Sequence, residues 1–229
     1  EKPQEENITI KIFHNIRIPF ISHKIFSESI EMFLFISTAL GRTKIYYFDN
    51  IKDITFTSFK KKLINENKDY LELYTGARYA VGISSCEIVK TKHPKYYIVL
   101  LGDYDGRLYF SQIKKISNCL YNFNNNIKYL QIHSNDKITK LLFSANQNIL
   151  YSLSRDGKMK KFFITNELNS SFSIKEINSK NRSDINSFEN ILFSKIDNFE
   201  NGEYIIVGHH GRNLLLYNAM SNLIFHTND

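Results

Sequence analysis

Tryptophan is absent from this chain of 229 residues, and cysteine is limited to Cys86 and Cys119. Without an indole N–H, no buried hydrogen-bond chain can end on that donor. Two isolated cysteines outside any Cys-x-x-Cys pattern exclude a zinc site of that kind and point to a reducing compartment. No apolar run approaches the length of a membrane span. The opening Glu1-Lys2-Pro3-Gln4-Glu5-Glu6 is polar and lacks Met, which argues against a signal peptide and predicts an excised piece of a longer protein. Enzyme signatures are missing as well: there is no Gly-x-Ser-x-Gly elbow, no phosphate-binding loop and no His-Glu-x-x-His. These absences predict a cytoplasmic chain that is not an enzyme, with no cofactor, no metal and no small-molecule substrate.

What is present begins with charge. The net charge is +7 and the isoelectric point about 9.2. An acidic partner such as nucleic acid or an anionic membrane is one reading of that excess. The other is codon bias, because Lys far outnumbers Arg beside abundant Asn and Ile, whereas a site selected for phosphate geometry favours Arg. The apolar share of 42% is ordinary for a globular chain of this length.

The most informative feature is a phrase repeated four times: an apolar β-type run, a Gly-containing tight turn, and a second apolar run. The copies run over residues 31–48, 96–110, 149–163 and 204–218. Their turn glycines are Gly41, Gly106, Gly157 and Gly211, spaced roughly 50–65 residues apart, which is how a β-propeller reads in sequence. Asp105-Gly106 and Asp156-Gly157 supply the positive backbone angle that such turns need. A blade buries both faces, so its strands should be apolar nearly throughout, as in Tyr204–Val207 and Leu214–Tyr217.

Around these hairpins the expected organisation is a disordered leader over residues 1–7 and a single propeller segment over 8–229. A strand is expected at 8–13. Phe56, Phe59 and Leu63 allow a short amphipathic helix, although residues 54–57 serve equally well as an outer strand. Inner strands are expected near 80–89, 138–144 and 191–194, and a last strand near 223–226. Pro94 marks a basic loop rather than a ladder position, and residues 178–186 read as a surface loop. The fold expected is all-β: a WD-like propeller segment of about four to five four-stranded antiparallel blades, part of a larger propeller protein.

At His133, Ser152 or Ser154, and Asp156 the chain resembles the WD-repeat family, in which these groups form a buried hydrogen-bond chain ending on Trp. Here that last position falls at Phe162 or Phe163, and a phenyl ring donates nothing, so the network is shortened. His133, Ser152 and Asp156 are therefore expected to lock a blade rather than act as a catalytic pair. A narrower resemblance covers residues 95–226. Leu101-Gly102-Asp103 with Gly106-Arg107-Leu108-Tyr109-Phe110, then His133 with Lys137-Ile138-Thr139, then Ser154-Arg155-Asp156-Gly157, then Gly208-His209-His210 with Leu215-Leu216-Tyr217-Asn218, occur in this order. They are similar to the WD-repeat partner subunits of the tRNA anticodon-loop ribose 2′-O-methyltransferase. The chain departs from that family in having Tyr217 where Trp precedes Asn. The resemblance implies a non-catalytic scaffold that presents tRNA to a separate methyltransferase, within a longer protein.

Candidate phosphate contacts are Lys92, Lys95, Arg107, Lys158 and Lys160, expected on one propeller face. The alternative is that these cations only solubilise strand edges. Two further readings are a generic protein–protein adaptor without RNA contact and a phosphoinositide-binding propeller. The second needs clustered arginines, and Arg78 and Arg212 stand alone. His209 and His210 are adjacent on a strand and point to opposite faces, which argues against a shared metal.

Overall fold

A computed structural model describes residues 20–26, 31–37, 41–50, 70–75, 82–116, 119–122, 127–134, 136–155, 158–166, 172–177, 191–199, 202–209, 214–218 and 224–227. Every regular element among them is a strand. The first sheet is β1 (Phe20–Phe26), β2 (Glu31–Ser37), β3 (Arg42–Phe48) and β4 (Tyr70–Tyr74). The second is β5 (Ile83–Lys90), β6 (Tyr96–Asp103) and β7 (Arg107–Ile116), with β8 (Cys119–Asn122) and β9 (Lys128–Gln131) both paired to β7. The third is β10 (Ile138–Ser144), β11 (Ile149–Ser154), β12 (Met159–Asn166) and β13 (Phe172–Ile177). The fourth is β14 (Ile191–Phe199), β15 (Gly202–His209), β16 (Leu214–Asn218) and β17 (Ile224–Thr227). Within each sheet, strands pair antiparallel in chain order. This is an all-β, β-propeller-like arrangement of antiparallel sheets, three of four strands and one of five.

The four repeated phrases are the β2–β3, β6–β7, β11–β12 and β15–β16 hairpins. Gly41 and Gly106 take φ of 70° and 78°, which a side chain would resist. At Gly106 an added Cβ would also lie 2.5 Å from the His133 carbonyl oxygen. Gly157, Gly211 and Asp156 lie outside the described residues, as do the leader, the strand expected at 8–13, residues 54–63 and 178–186, Arg78, Arg212 and His210. The first sheet opens at Phe20, and its outer strand is β4. Tyr70-Leu71-Glu72-Leu73-Tyr74 alternates well enough to bury Leu73 against the core.

The second sheet shows why near-continuous apolar strands are needed. On β6, Tyr97, Val99 and Leu101 pack with Phe33, Phe35, Ile45 and Tyr47 of the first sheet. The alternate residues Ile98 and Leu100 pack with Ile138, Leu141, Leu150 and Phe162 of the third. Period-2 alternation thus supplies two separate cores from one strand. The outer strand of this sheet is broken. β8 pairs with Ile113–Ile116 and β9 with Arg107–Phe110, both antiparallel to β7, with residues 123–127 between them. Such interruptions bend an edge and end its pairing.

Polar groups also join the second and third sheets. Ser84 Oγ donates to the Ile138 carbonyl at 2.6 Å, and the Leu141 N–H donates to Ser85 Oγ at 2.8 Å. The Phe143 N–H reaches Glu87 Oε2 at 3.4 Å. Side chains of β5 thereby satisfy backbone groups of β10 that no strand pairs with, which a buried edge requires.

Candidate functional site

The second sheet has two ends with different chemistry. Its β6–β7 end is built around Asp103, fully buried at the close of β6. Asp103 Oδ1 accepts from the Asp105 N–H at 2.9 Å and the Arg107 N–H at 2.8 Å, and Oδ2 accepts from the Tyr109 hydroxyl at 3.1 Å. Burial raises the Asp103 pKa, and these donors together with the Arg107 guanidinium pull against that rise. The turn is therefore organised by a carboxylate whose acceptors are occupied.

His133 joins this end to the third sheet. Its N–H and that of Ile132 donate to the Gly106 carbonyl, each at 3.0 Å. His133 Nε2 lies 3.0 Å from Ser152 Oγ on β11. A Ser–His contact is the geometry of an activated nucleophile, but here the two side chains are 0% and 2% exposed. The pair ties β11 to the segment after β9.

Three cations at this end, Arg107, Arg155 and Lys160, have acidic partners. Arg107 lies 3.9 Å from Asp103 and 3.4 Å from Asp105; Arg155 lies 2.7 Å from Asp136; Lys160 lies 3.1 Å from Glu176. Lys137 Nζ sits 4.8 Å from the Tyr104 ring centre. The Arg107 pKa is raised, chiefly through its hydrogen bond with Tyr109.

At the β5–β6 end several lysines gather. Lys90 ends β5, Lys92 and Lys95 stand exposed in the β5–β6 turn, and Lys114 and Lys115 close β7 against Tyr96 and Lys95. The structure thus places Lys92 and Lys95 at one end of the second sheet and Arg107 at the other, with Lys158 and Lys160 at the β11–β12 turn on the Arg107 side. The five candidate phosphate contacts do not share one rim.

Beneath this basic end is a cluster that sequence reasoning missed. Glu31, at the start of β2, is buried and accepts from Tyr47 OH at 2.6 Å, Tyr97 OH at 3.0 Å and Lys115 Nζ at 2.7 Å. Lys90 Nζ stands 3.6 Å from its other oxygen. Burial, reinforced by Glu31, raises the pKa of both Tyr47 and Tyr97 far above the ordinary phenol range. The cluster takes one group from each of β2, β3, β5, β6 and β7, so it clamps the first sheet to the second. Its one available signal was a carboxylate opening an otherwise apolar strand.

No group of three or more His, Cys, Asp or Glu among the described residues is placed to hold a metal ion. No helix among them is long and apolar enough to cross a membrane.

No protein-family model matches the chain, and no curated protein matches it. Among solved structures it is similar to the crystal structure of BBS1N, a β-propeller protein, in complex with ARL6DN. The two are 13% identical, with a TM-score of 0.52 over 90% of this chain and 52% of that one. At that identity the likeness concerns the fold alone, and it agrees with the β-propeller-like arrangement of the sheets. The chain spans about half the length of the structure it matches.

Proposed function

We propose that this chain is a non-catalytic propeller scaffold that docks onto a protein partner in the cytoplasm. Its four sheets are blades of a WD-like propeller within a larger protein. More specifically, it is the subunit that presents tRNA to a separate ribose 2′-O-methyltransferase. The observation that carries the scaffold reading is the side-by-side packing of antiparallel sheets, whose buried polar groups are used to join sheet to sheet. His133–Ser152 and the Glu31 cluster sit at these joints, and the Asp103 carboxylate is occupied within its own turn, which leaves surface rather than chemistry as the product of the fold. The structural neighbour was solved in complex with another protein, which supports a protein partner. The order of the Gly-Asp, His, Arg-Asp-Gly and Gly-x-His phrases supports the tRNA assignment, and the basic charge agrees with it.

The test is affinity capture of the full protein from its own cells. The expected result is a co-purifying methyltransferase together with tRNA, and loss of anticodon-loop ribose methylation on depletion. Capture of other proteins with no methyltransferase and no tRNA would leave the generic adaptor as the reading. Binding to phosphoinositide vesicles alone would favour the membrane alternative.

A further inference from the structure

The two ends of the second sheet differ in what their cations are doing. At the β6–β7 end, Arg107, Arg155 and Lys160 each have a carboxylate within ion-pair distance. At the β5–β6 end, no carboxylate pairs with Lys92, Lys95 or Lys114 among the described residues. Two more lysines, Lys90 and Lys115, share the buried Glu31.

The turn that carries the unpaired lysines is closed by hydrogen bonds. Thr91 Oγ1 donates to the carbonyls of His93 and Tyr96, both at 2.9 Å. Tyr96 N–H donates to the His93 carbonyl at 3.0 Å, and Lys115 N–H to the Lys95 carbonyl at 2.7 Å. Pro94 fixes the backbone between them. Solubility asks for no such order, whereas a surface that must match spaced charges gains from it. Rings stand among the lysines. Exposed His93 meets Tyr96 edge-on at 4.8 Å, and Lys114 Nζ lies 5.5 Å from the Tyr96 ring centre.

We infer that the β5–β6 end of the second sheet is an RNA-contacting surface, in which Lys92, Lys95 and Lys114 neutralise phosphates and the His93 ring offers a face for stacking. This rests on the RNA clause of the reading above and narrows it to one end of one sheet. Cations interleaved with rings fit a single-stranded RNA, whose phosphates and bases are both open.

The experiment measures binding of a fluorescein-labelled single-stranded RNA, and of a tRNA transcript, by anisotropy over a salt series with the full chain. Two matched doubles are compared: Lys92→Gln/Lys95→Gln and Lys158→Gln/Lys160→Gln. The second leaves the Arg107–Asp103 pair in place and gives up the partly exposed Lys160–Glu176 pair, so thermal unfolding of each double is measured beside its binding. At roughly 0.7 per single-strand phosphate contact, the first double should flatten the slope of log affinity against log salt by about 1.4, and adding Lys114→Gln by about 2. The second double should keep the wild-type slope. His93→Ala should weaken binding without changing the slope. Wild-type slopes in the Lys92/Lys95 variant, with RNA still bound, would overturn this surface and leave the RNA reading standing. Absence of wild-type RNA binding at low salt would overturn both. Vesicles of anionic lipid binding where RNA does not would do the same.

Discussion

Removing the Glu31 carboxylate is the sharpest test of how the sheets are joined. Glu31→Ala leaves the hydroxyls of Tyr47 and Tyr97 without this acceptor, and those side chains are 1% and 0% exposed. A buried donor that loses its partner costs about 1–2 kcal/mol, so the two phenols account for about 2–4 kcal/mol. Lys115 and Lys90 are 26% and 34% exposed along their side chains. Water therefore takes up most of their freed charge, and they add no more than about 1 kcal/mol. Against a total stability of about 5–15 kcal/mol for a domain, that is a large share. Glu31→Gln keeps one acceptor oxygen and should cost about half as much. The assay is amide hydrogen exchange, which reports opening free energy element by element. Amides of β2 and β3 should lose about 2–4 kcal/mol of protection in the Ala variant, while those of β11 and β12 hold theirs. A loss below about 0.5 kcal/mol, the range of an ordinary surface change, would mean that Glu31 does not join the sheets, as would a uniform loss across all of them.

Other consequences are open to direct measurement. Gly106→Ala must place a Cβ at positive φ and 2.5 Å from a backbone oxygen. Gly102→Ala instead meets the Ile138 side chain at 2.7 Å, an overpacking that costs about 1–3 kcal/mol; thermal unfolding should rank Gly106→Ala as the more damaging. The chain has fourteen tyrosines, and absorbance titration should show Tyr47 and Tyr97 staying protonated after exposed phenols have ionised, with Tyr46 pushed up to about 12 by burial. A phenol whose folded pKa is raised stabilises the fold below the ordinary tyrosine range near 10 and ceases to do so as pH climbs through its raised value, so alkaline unfolding and late phenol ionisation should coincide. Burial lowers the Lys161 pKa. The unfolded chain then binds that proton more tightly, and stability should rise with pH toward the lysine range near 10.4. Lys161→Met should remove that part of the slope in urea unfolding measured at successive pH values.

The hairpins were legible because local rules dictate them. Gly41 and Gly106 need positive φ, and strands such as β6 bury both faces and so read as apolar runs. The outer strands were not legible for reasons of length and distance. β4 has five residues with a charged centre, Glu72, and follows β3 only after residues 49–69. β8 and β9 are two four-residue pieces of one broken edge. The Glu31 cluster lies beyond sequence reasoning altogether, because its partners are 16, 66 and 84 positions away. Nor does sequence distinguish Lys92 from Lys160. Both stand in basic stretches, and a carboxylate from the neighbouring strand, Glu176, neutralises one and not the other.

Each sheet is drawn from one continuous stretch of chain, and the principal contacts between sheets join neighbours in sequence: β1 with β5, β4 with β8, β5 and β6 with β10, and β10 with β14. Energetically this makes the chain nearly one-dimensional, a sum of sheets and of the joints between successive ones. Cooperativity then passes only through those joints. Breaking the Glu31 joint weakens the hold on the first sheet, which still packs on the second through Phe33, Phe35 and Ile45, while the second and third remain held by Ser84, Ser85 and Glu87, so denaturation should proceed sheet by sheet, in an order set by the weakest joint.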